Sequence, residues 1–180
     1  FNEYLEAAKL IKSQRNDVEF QLLGAIDSGN PSGVPQSVVE DAVSNGFINY
    51  LGTTSDVLPI IREADCMVLP SYREGISRVL MEAASMEKPI IATNVTGCRE
   101  VINDGETGFL CKVKSPVDLA HKMAKIINMT EKEKVVMGQK GRAKVIEEMD
   151  LEKIIDIYDY KIAAVLGEEE GITVDLQELI

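Results

Sequence analysis

Apolar positions along this chain follow two rhythms that take turns. Between residues 2 and 13, Tyr4, Leu5, Ala8 and Ile11 recur at helical spacing and predict an amphipathic helix that starts without a capping residue. Val18 to Leu23 and Phe47 to Leu51 are short apolar runs closed by Gly24 and Gly52, which predicts two strands with a helical stretch between them. Ser55-Asp56 offers a cap for a short helix through Ala64. Cys66 to Leu69 then predicts a strand, residues 78 to 86 a helix and Pro89 to Thr93 another strand. The turn chemistry of Asn103-Asp-Gly-Glu-Thr-Gly108 leads into a last strand at Phe109 to Cys111. Beyond it only helical patterns remain, roughly at 116–128, 131–148 and 151–165.

Strands rich in Val, Ile and Leu, alternating with helices through short Gly-containing turns, predict a doubly wound α/β fold: a parallel sheet covered on both faces, with carboxyl-terminal helices after it. With 180 residues and 45% hydrophobic content the chain can bury one sizeable core. One globular domain is expected over residues 1–166. Residues 167–180 carry five acids and no base, with Ile172, Val174 and Leu176 alternating, and read as an acidic tail: either a flexible extension or an arm for another surface.

Charge and cysteine content narrow the partners. A formal charge of −11 opposes the counterion release that drives nucleic-acid binding, so polynucleotides are not expected. Residues 112–144 hold nine Lys or Arg against Asp118, Glu131 and Glu133, a net +6 that leaves −17 on the rest. Lys122, Lys125, Lys132, Lys134, Lys140 and Lys144 flank helical apolar positions, the pattern of a solvated helix face; an anionic lipid surface is the alternative. Cys66, Cys98 and Cys111 follow no metal-ligand spacing and form no even framework, which predicts reduced thiols and no metal site. No apolar stretch approaches a membrane span and no signal-peptide pattern opens the chain, so a cytoplasmic protein is expected.

The segment most informative about function is Pro70-Ser-Tyr-Arg-Glu-Gly-Ile-Ser-Arg-Val-Leu-Met-Glu82. A strand ending at Pro70, a polar loop through Gly75 and a helix starting near Ser77 would set backbone amides and a helix dipole at the carboxyl edge of the sheet, where anions bind. Glu82 falls in the second turn of a helix otherwise built of Val79, Leu80, Met81, Ala83, Ala84 and Met86, and a carboxylate so placed needs a partner. Gly24 and Gly52 end strands on the same edge, where they serve either a ligand or a tight turn. Thr96-Gly97-Cys98-Arg99 follows a strand in the same manner, with Glu100 expected to open the next helix. His121, alone in a Lys-rich helix, reads as a surface residue.

Taken together, Gly52…Asp56-Val-Leu-Pro, Ala64-Asp-Cys-Met-Val-Leu-Pro-Ser-Tyr-Arg-Glu-Gly75, Glu82-Ala, Lys88-Pro-Ile-Ile-Ala-Thr93 and Gly97-Cys-Arg-Glu-Val-Ile-Asn-Asp-Gly-Glu-Thr-Gly-Phe-Leu110 resemble the retaining group 1 glycosyltransferases over about residues 1–150. That family has two facing Rossmann-like domains, and this chain is similar to the carboxyl-terminal one, which holds a nucleotide-diphosphate sugar. The resemblance implies transfer of a hexosyl or N-acetylhexosaminyl group, with retention and without a metal, in bacterial surface polysaccharide synthesis. It implies that Glu74 contacts donor-sugar hydroxyls, the catalytic position but not a nucleophile. Gly75, Ile76, Ser77, Arg78 and Val79 would present amides and charge to the diphosphate and sugar, and Glu82 would bond the ribose. The loops at Gly24 and Gly52 would approach the diphosphate and the base. No cofactor is implied; the donor is a substrate, with UDP-sugar favoured.

The same resemblance implies a partner, an amino-terminal acceptor domain of the same protein. It allows the full enzyme a peripheral place at the inner face of the plasma membrane, near a lipid-linked or glycan acceptor. Ser77 replaces a frequent Pro and Asn94 a frequent Asp. The family's first strand of this domain, with the Arg and Lys that grip donor phosphates, would lie upstream of Phe1, so the segment alone is expected to bind donor weakly and transfer nothing. Two alternatives remain: a sugar-nucleotide epimerase half-domain, and a non-enzymatic nucleotide-binding module such as a response-regulator type. The second would need an acidic cluster at the first strands. A dinucleotide-binding dehydrogenase is disfavoured, because Gly24-Ala-Ile-Asp-Ser-Gly29 has the wrong glycine spacing.

Overall fold

All five strands that the sequence predicts form, and every pairing among them is parallel. The computed structural model describes residues 1–26 and 33–166, so the acidic tail lies outside the described residues. The elements run α1 (Asn2–Lys12), β1 (Gln21–Leu22), α2 (Gln36–Ser44), β2 (Asn49–Tyr50), α3 (Leu58–Glu63), β3 (Met67–Leu69), α4 (Arg78–Ser85), β4 (Ile90–Thr93), β5 (Gly108–Cys111), α5 (Pro116–Ile127), α6 (Glu131–Glu148) and α7 (Leu151–Leu166). Strand β1 pairs with β2, and β3-β4-β5 form a second hydrogen-bonded set. The two sets do not pair with each other among the described residues.

They nevertheless share a core. Phe20 and Ile48, from the β1 and β2 segments, pack with Ile91, Phe109 and Cys111 of β4 and β5 under Leu5, Ala8 and Ile11 of α1, Val39 and Ala42 of α2, and Leu119 and Met123 of α5. A second core on the other face holds Ile61 of α3, Leu80, Ala83 and Ala84 of α4, Ile90 and Ala92 of β4, and Val145 of α6. Successive residues of β4 therefore point into different cores, and all four of its positions are buried, as a strand covered on both faces requires.

Local chemistry explains most boundaries. Thr130 and Glu133 close a reciprocal capping box at the start of α6, and Ser115 accepts the Asp118 amide at the start of α5, where Pro116 occupies the first turn. Helix α3 begins later than Ser55-Asp56 suggested: Val57 takes the cap position, and Asp56 Oδ1 accepts the Leu58 amide at 3.1 Å. Gly138 of α6 sits against the Glu87 backbone so closely that a side chain there would overlap it, which lets α6 dock on the end of α4. Several lysines of the basic segment are engaged locally. Lys134 lies 2.8 Å from Glu131 and 3.7 Å from Asp65, and Lys122 and Lys125 lie 5.5 and 5.2 Å from the Phe109 ring centre.

Candidate functional site

The loops leaving β1, β2, β3 and β4 all emerge at the carboxyl edge of parallel strands. After β1 and β2, Gly24 and Gly52 meet: the Gly24 amide donates to the Gly52 carbonyl at 2.9 Å, and the Tyr50 hydroxyl donates to the Gly24 carbonyl at 2.8 Å. Their φ angles are +145° and +75°, and among the described residues a β-carbon on either would meet nothing within 4 Å. Backbone conformation, with open space beside it, accounts for both glycines.

The β3–α4 loop, residues 70–77, is held at three points. The buried hydroxyl of Thr93, at the end of β4, donates to the Ser71 carbonyl. Tyr72 donates its hydroxyl to the Glu3 carboxylate at the start of α1, while Lys114 stands 5.3 Å from the Tyr72 ring centre. The carbonyl of Gly75 lies against Gly97, whose φ of +85° and lack of a side chain permit the approach.

Glu74 reaches the same contact. Its backbone carbonyl lies beside Gly97, and burial first, with the charges of Glu74 and Glu100 second, pushes the buried Cys98 thiol up to about 11. Glu100 was expected to open a helix. The structure has consecutive turns over 96–101 instead, and the Glu100 carboxylate folds back to accept the Gly97 amide. A left-handed residue at 97 interrupts helical progression, and the acid satisfies the amide this exposes.

Helix α4 begins at Arg78 with Ser77 as its buried cap residue, and the Ser77 side chain makes no capping bond. Its first amides therefore lack intrahelical acceptors and face the loop carrying Glu74, Gly75 and Ile76, whose side chain is 60% exposed. On the helix, the Arg78 guanidinium lies 3.9 Å from the Glu82 carboxylate, with side chains 88% and 33% exposed. The partner that Glu82 needed is thus on its own helix, one turn back, in a geometry worth little energy in water. Val79 is half-buried behind them.

The structure thus joins Glu74 and Gly75 to the 97–100 turn, Gly24 to Gly52, and Arg78 to Glu82. It leaves His121 on the rim of a cleft of about 680 Å³ between α1 and α5, lined also by Leu10, Arg15 and Val117. Thr93, Tyr72 and the Glu3 partner went unrecognised in the sequence. A threonine closing an apolar strand was the available signal for the first; nothing local to residues 1–12 announces the bond to Tyr72. Among the described residues, no group of three His, Cys, Asp or Glu is placed to share a metal ion, and no helix is long and apolar enough to cross a membrane.

Comparison with known proteins gives consistent matches. The profile of the family described as Glycosyl transferases group 1 matches residues 1–129. The capsular polysaccharide biosynthesis glycosyltransferase CapM of Staphylococcus aureus is 28% identical over 170 residues, 94% of this chain and 44% of its own length. The N,N'-diacetylbacillosaminyl-diphospho-undecaprenol alpha-1,3-N-acetylgalactosaminyltransferase of Campylobacter jejuni is 30% identical over 125 residues, 69% of this chain and 31% of its own. Among solved structures, HepE of Anabaena in complex with UDP superposes with a TM-score of 0.79 at 20% identity, covering 91% of this chain and 44% of that one. The C-terminal domain of a group 1 family glycosyl transferase, LpcC of Francisella tularensis, gives 0.66 at 24% identity over 83% and 78%. The chain spans less than half the length of the curated relatives it matches.

Proposed function

Since the chain belongs to the group 1 glycosyltransferases, we propose that it is the donor-binding half of a retaining enzyme and takes a nucleotide-diphosphate sugar, UDP-sugar by preference, at the carboxyl edge of its strands. The observation that carries this reading is the convergence of Glu74, Gly75 and the unfilled amides of α4 on one loop mouth, braced from below by Thr93 and Gly97. Amides at a helix start and about half a positive charge suit a diphosphate. Glu74, held beside Gly97 and Cys98, is an acceptor for donor-sugar hydroxyls, and Glu82, one-third exposed, for paired ribose hydroxyls. Gly24 and Gly52, joined by a backbone hydrogen bond, would stand beside the diphosphate and the base.

In transfer, the bond from the anomeric carbon to the diphosphate oxygen breaks with its electron pair leaving on the nucleotide, while an acceptor hydroxyl oxygen forms the new bond and loses its proton. The α4 amides and Arg78 would stabilise the charge growing on the diphosphate, the kind of preorganised electrostatic help that needs no cofactor from this chain. The acceptor would be held by an amino-terminal half, consistent with relatives more than twice as long. The names of CapM and of the Campylobacter enzyme favour a polysaccharide or lipid-linked glycan acceptor, and a cytoplasmic enzyme meeting it at the inner membrane face. The UDP bound to HepE favours uridine as the base.

Calorimetric titration with UDP, GDP and ADP, repeated on Glu82→Ala, tests the reading. Selective binding of UDP, weakened about tenfold or more in the variant, is the expected result. Equal affinity of variant and parent would remove Glu82 from the site.

A further inference from the structure

Lys114, in the loop leaving β5 at the carboxyl edge of the strands, has a φ of +56°. Among the described residues the only other non-glycine at positive φ is Glu87, which precedes β4 and so lies at the opposite edge. A lysine gains nothing locally from the left-handed region, and such strain persists only where surrounding contacts hold it. The chain on either side is anchored: the Lys112 amide donates to Asp118 Oδ2 at 2.7 Å, and the Ser115 hydroxyl accepts the Asp118 amide at 3.3 Å. The turn between them places the Lys114 ammonium 5.3 Å from the centre of the Tyr72 ring, over its face. Its charge also reaches Glu3, whose carboxylate accepts the Tyr72 hydroxyl. A strained residue, an aromatic face and an acid from three separate parts of the chain therefore meet at one side chain of the β3–α4 loop.

That loop has few other means of staying in place. Among the described residues, 71–76 enter no backbone-to-backbone hydrogen bond. Thr93 holds the Ser71 carbonyl from below, and Gly97 lies against the Gly75 carbonyl. Between these two points lie Tyr72, Arg73 and Glu74, where the one further bond, from the Ser71 hydroxyl to the Arg73 carbonyl at 3.1 Å, stays within the loop. Tyr72 is 48% exposed and belongs to neither core, so its ring fixes nothing by burial. With an ammonium on its face and a carboxylate on its hydroxyl, it ties the loop to α1 and to the β5–α5 loop at once. A loop ordered before its ligand arrives loses less freedom on binding, which raises affinity without any new contact.

We propose that Lys114, Tyr72 and Glu3 form a clasp that holds the loop bearing Glu74 in its ligand-receiving position. The three are positioning residues: they act through Glu74 and need no contact with ligand themselves. The consequence for binding rests on the reading of Glu74 as the acceptor for donor-sugar hydroxyls; the consequence for the loop does not. Strain at Lys114 is offset by order at Glu74, so stability and binding respond in opposite directions at residue 114. Glycine there relieves the left-handed backbone and deletes the ammonium in one change. Arginine keeps the strain and the cation over the ring, and restores the clasp.

Nitrogen-15 relaxation of Lys114→Gly, Lys114→Arg, Tyr72→Phe and the parent, first without ligand, tests the clasp. The amides of Tyr72 to Gly75 are expected to be as ordered as those of β4 in the parent and in Lys114→Arg, and to fall to order parameters below about 0.6 in Lys114→Gly and Tyr72→Phe. The denaturation midpoint of Lys114→Gly should stand at or above the parent's. Titration with UDP-glucose should then show affinity lowered about tenfold in Lys114→Gly and Tyr72→Phe and kept in Lys114→Arg. A loop as rigid in Lys114→Gly as in the parent would overturn the clasp, and so would one as loose in Lys114→Arg as in Lys114→Gly. UDP-glucose affinity unchanged in the loosened variants would overturn its role in binding while leaving the donor reading intact. A parent that binds no UDP-glucose, with its loop loosened by the variants as expected, would support the clasp and contradict the donor reading.

Discussion

A β-carbon on Gly97 would stand inside the Gly75 carbonyl group, so the loop that follows β3 and the turn that follows β4 touch backbone to backbone. Neither partner can retreat, because Ser71 is fixed to Thr93 and the 97 amide to Glu100. Gly97→Ala therefore adds both an overlap and the strain of a side chain at φ +85°, together on the order of 2–4 kcal/mol. Gly75→Ala meets nothing within 4 Å and should leave stability within about 0.5 kcal/mol. Denaturant melts of the two variants check the contrast, and nucleotide titration should show both weakened, Gly75→Ala through the ligand alone.

Gly24 and Gly52 make a second pair with a different expectation. Alanine at either finds space but not a comfortable backbone angle, and should lower stability by roughly 1 kcal/mol, visible as a drop of a few degrees in melting temperature. A loss several times larger would mean that hidden packing, not conformation, holds these positions.

Arg78 and Glu82 separate stability from binding. At 3.9 Å, with Arg78 largely in solvent, the pair contributes little, so Arg78→Ala should change the melting midpoint hardly at all. Glu82→Gln keeps the shape and removes the charge; nucleotide affinity should fall roughly tenfold while the fold is unaffected. A Glu82→Gln protein that melts several degrees early would return this carboxylate to a structural role.

The bond between Tyr72 and Glu3 should give stability two limits in pH. Burial raises the Glu3 carboxyl, yet the Tyr72 hydroxyl, a backbone amide and Lys114 bring it below its ordinary value, so its contribution is present above the usual carboxylate range and lost as pH falls through the depressed value. The Glu3 bond holds Tyr72 above its ordinary value, so that contribution is lost as pH rises through the raised one. Tyr72→Phe should flatten both flanks in denaturation midpoints measured across pH. Flanks identical to the parent's would dissociate the bond from stability.

Much of this architecture was legible because the signals were local. Helical periodicity placed α5 and α6 to within a residue, and the structure shows why these starts are local: Ser115, Pro116 and Thr130 fix them. The segment from Pro70 to Glu82 announced a strand, a loop and a helix, and α4 starts one residue after Ser77, the residue the sequence marked. What could not be read were relations between distant segments: Tyr72 with Glu3, Thr93 with Ser71, Gly97 against Gly75. Each is a contact of one residue whose partner lies tens of positions away or is a backbone atom, and neither leaves a pattern in sequence. Glu100 misled because an acid before an apolar pair looks like a helix start, whereas the left-handed Gly97 three residues earlier had already set a turn. That the strands fall into two sets could not be read from local pattern, since strand order has no local signature; only the resemblance implied a strand outside this segment.

Two-dimensional amide NMR during titration with UDP tests the central claim most directly, because it registers weak binding and locates it. The account predicts saturable shifts at Gly24, Gly52, Gly75 to Val79 and Glu82, along one edge of the strands. Shifts clustered instead around His121 and Arg15 in the α1–α5 cleft, or none at millimolar UDP, would contradict it.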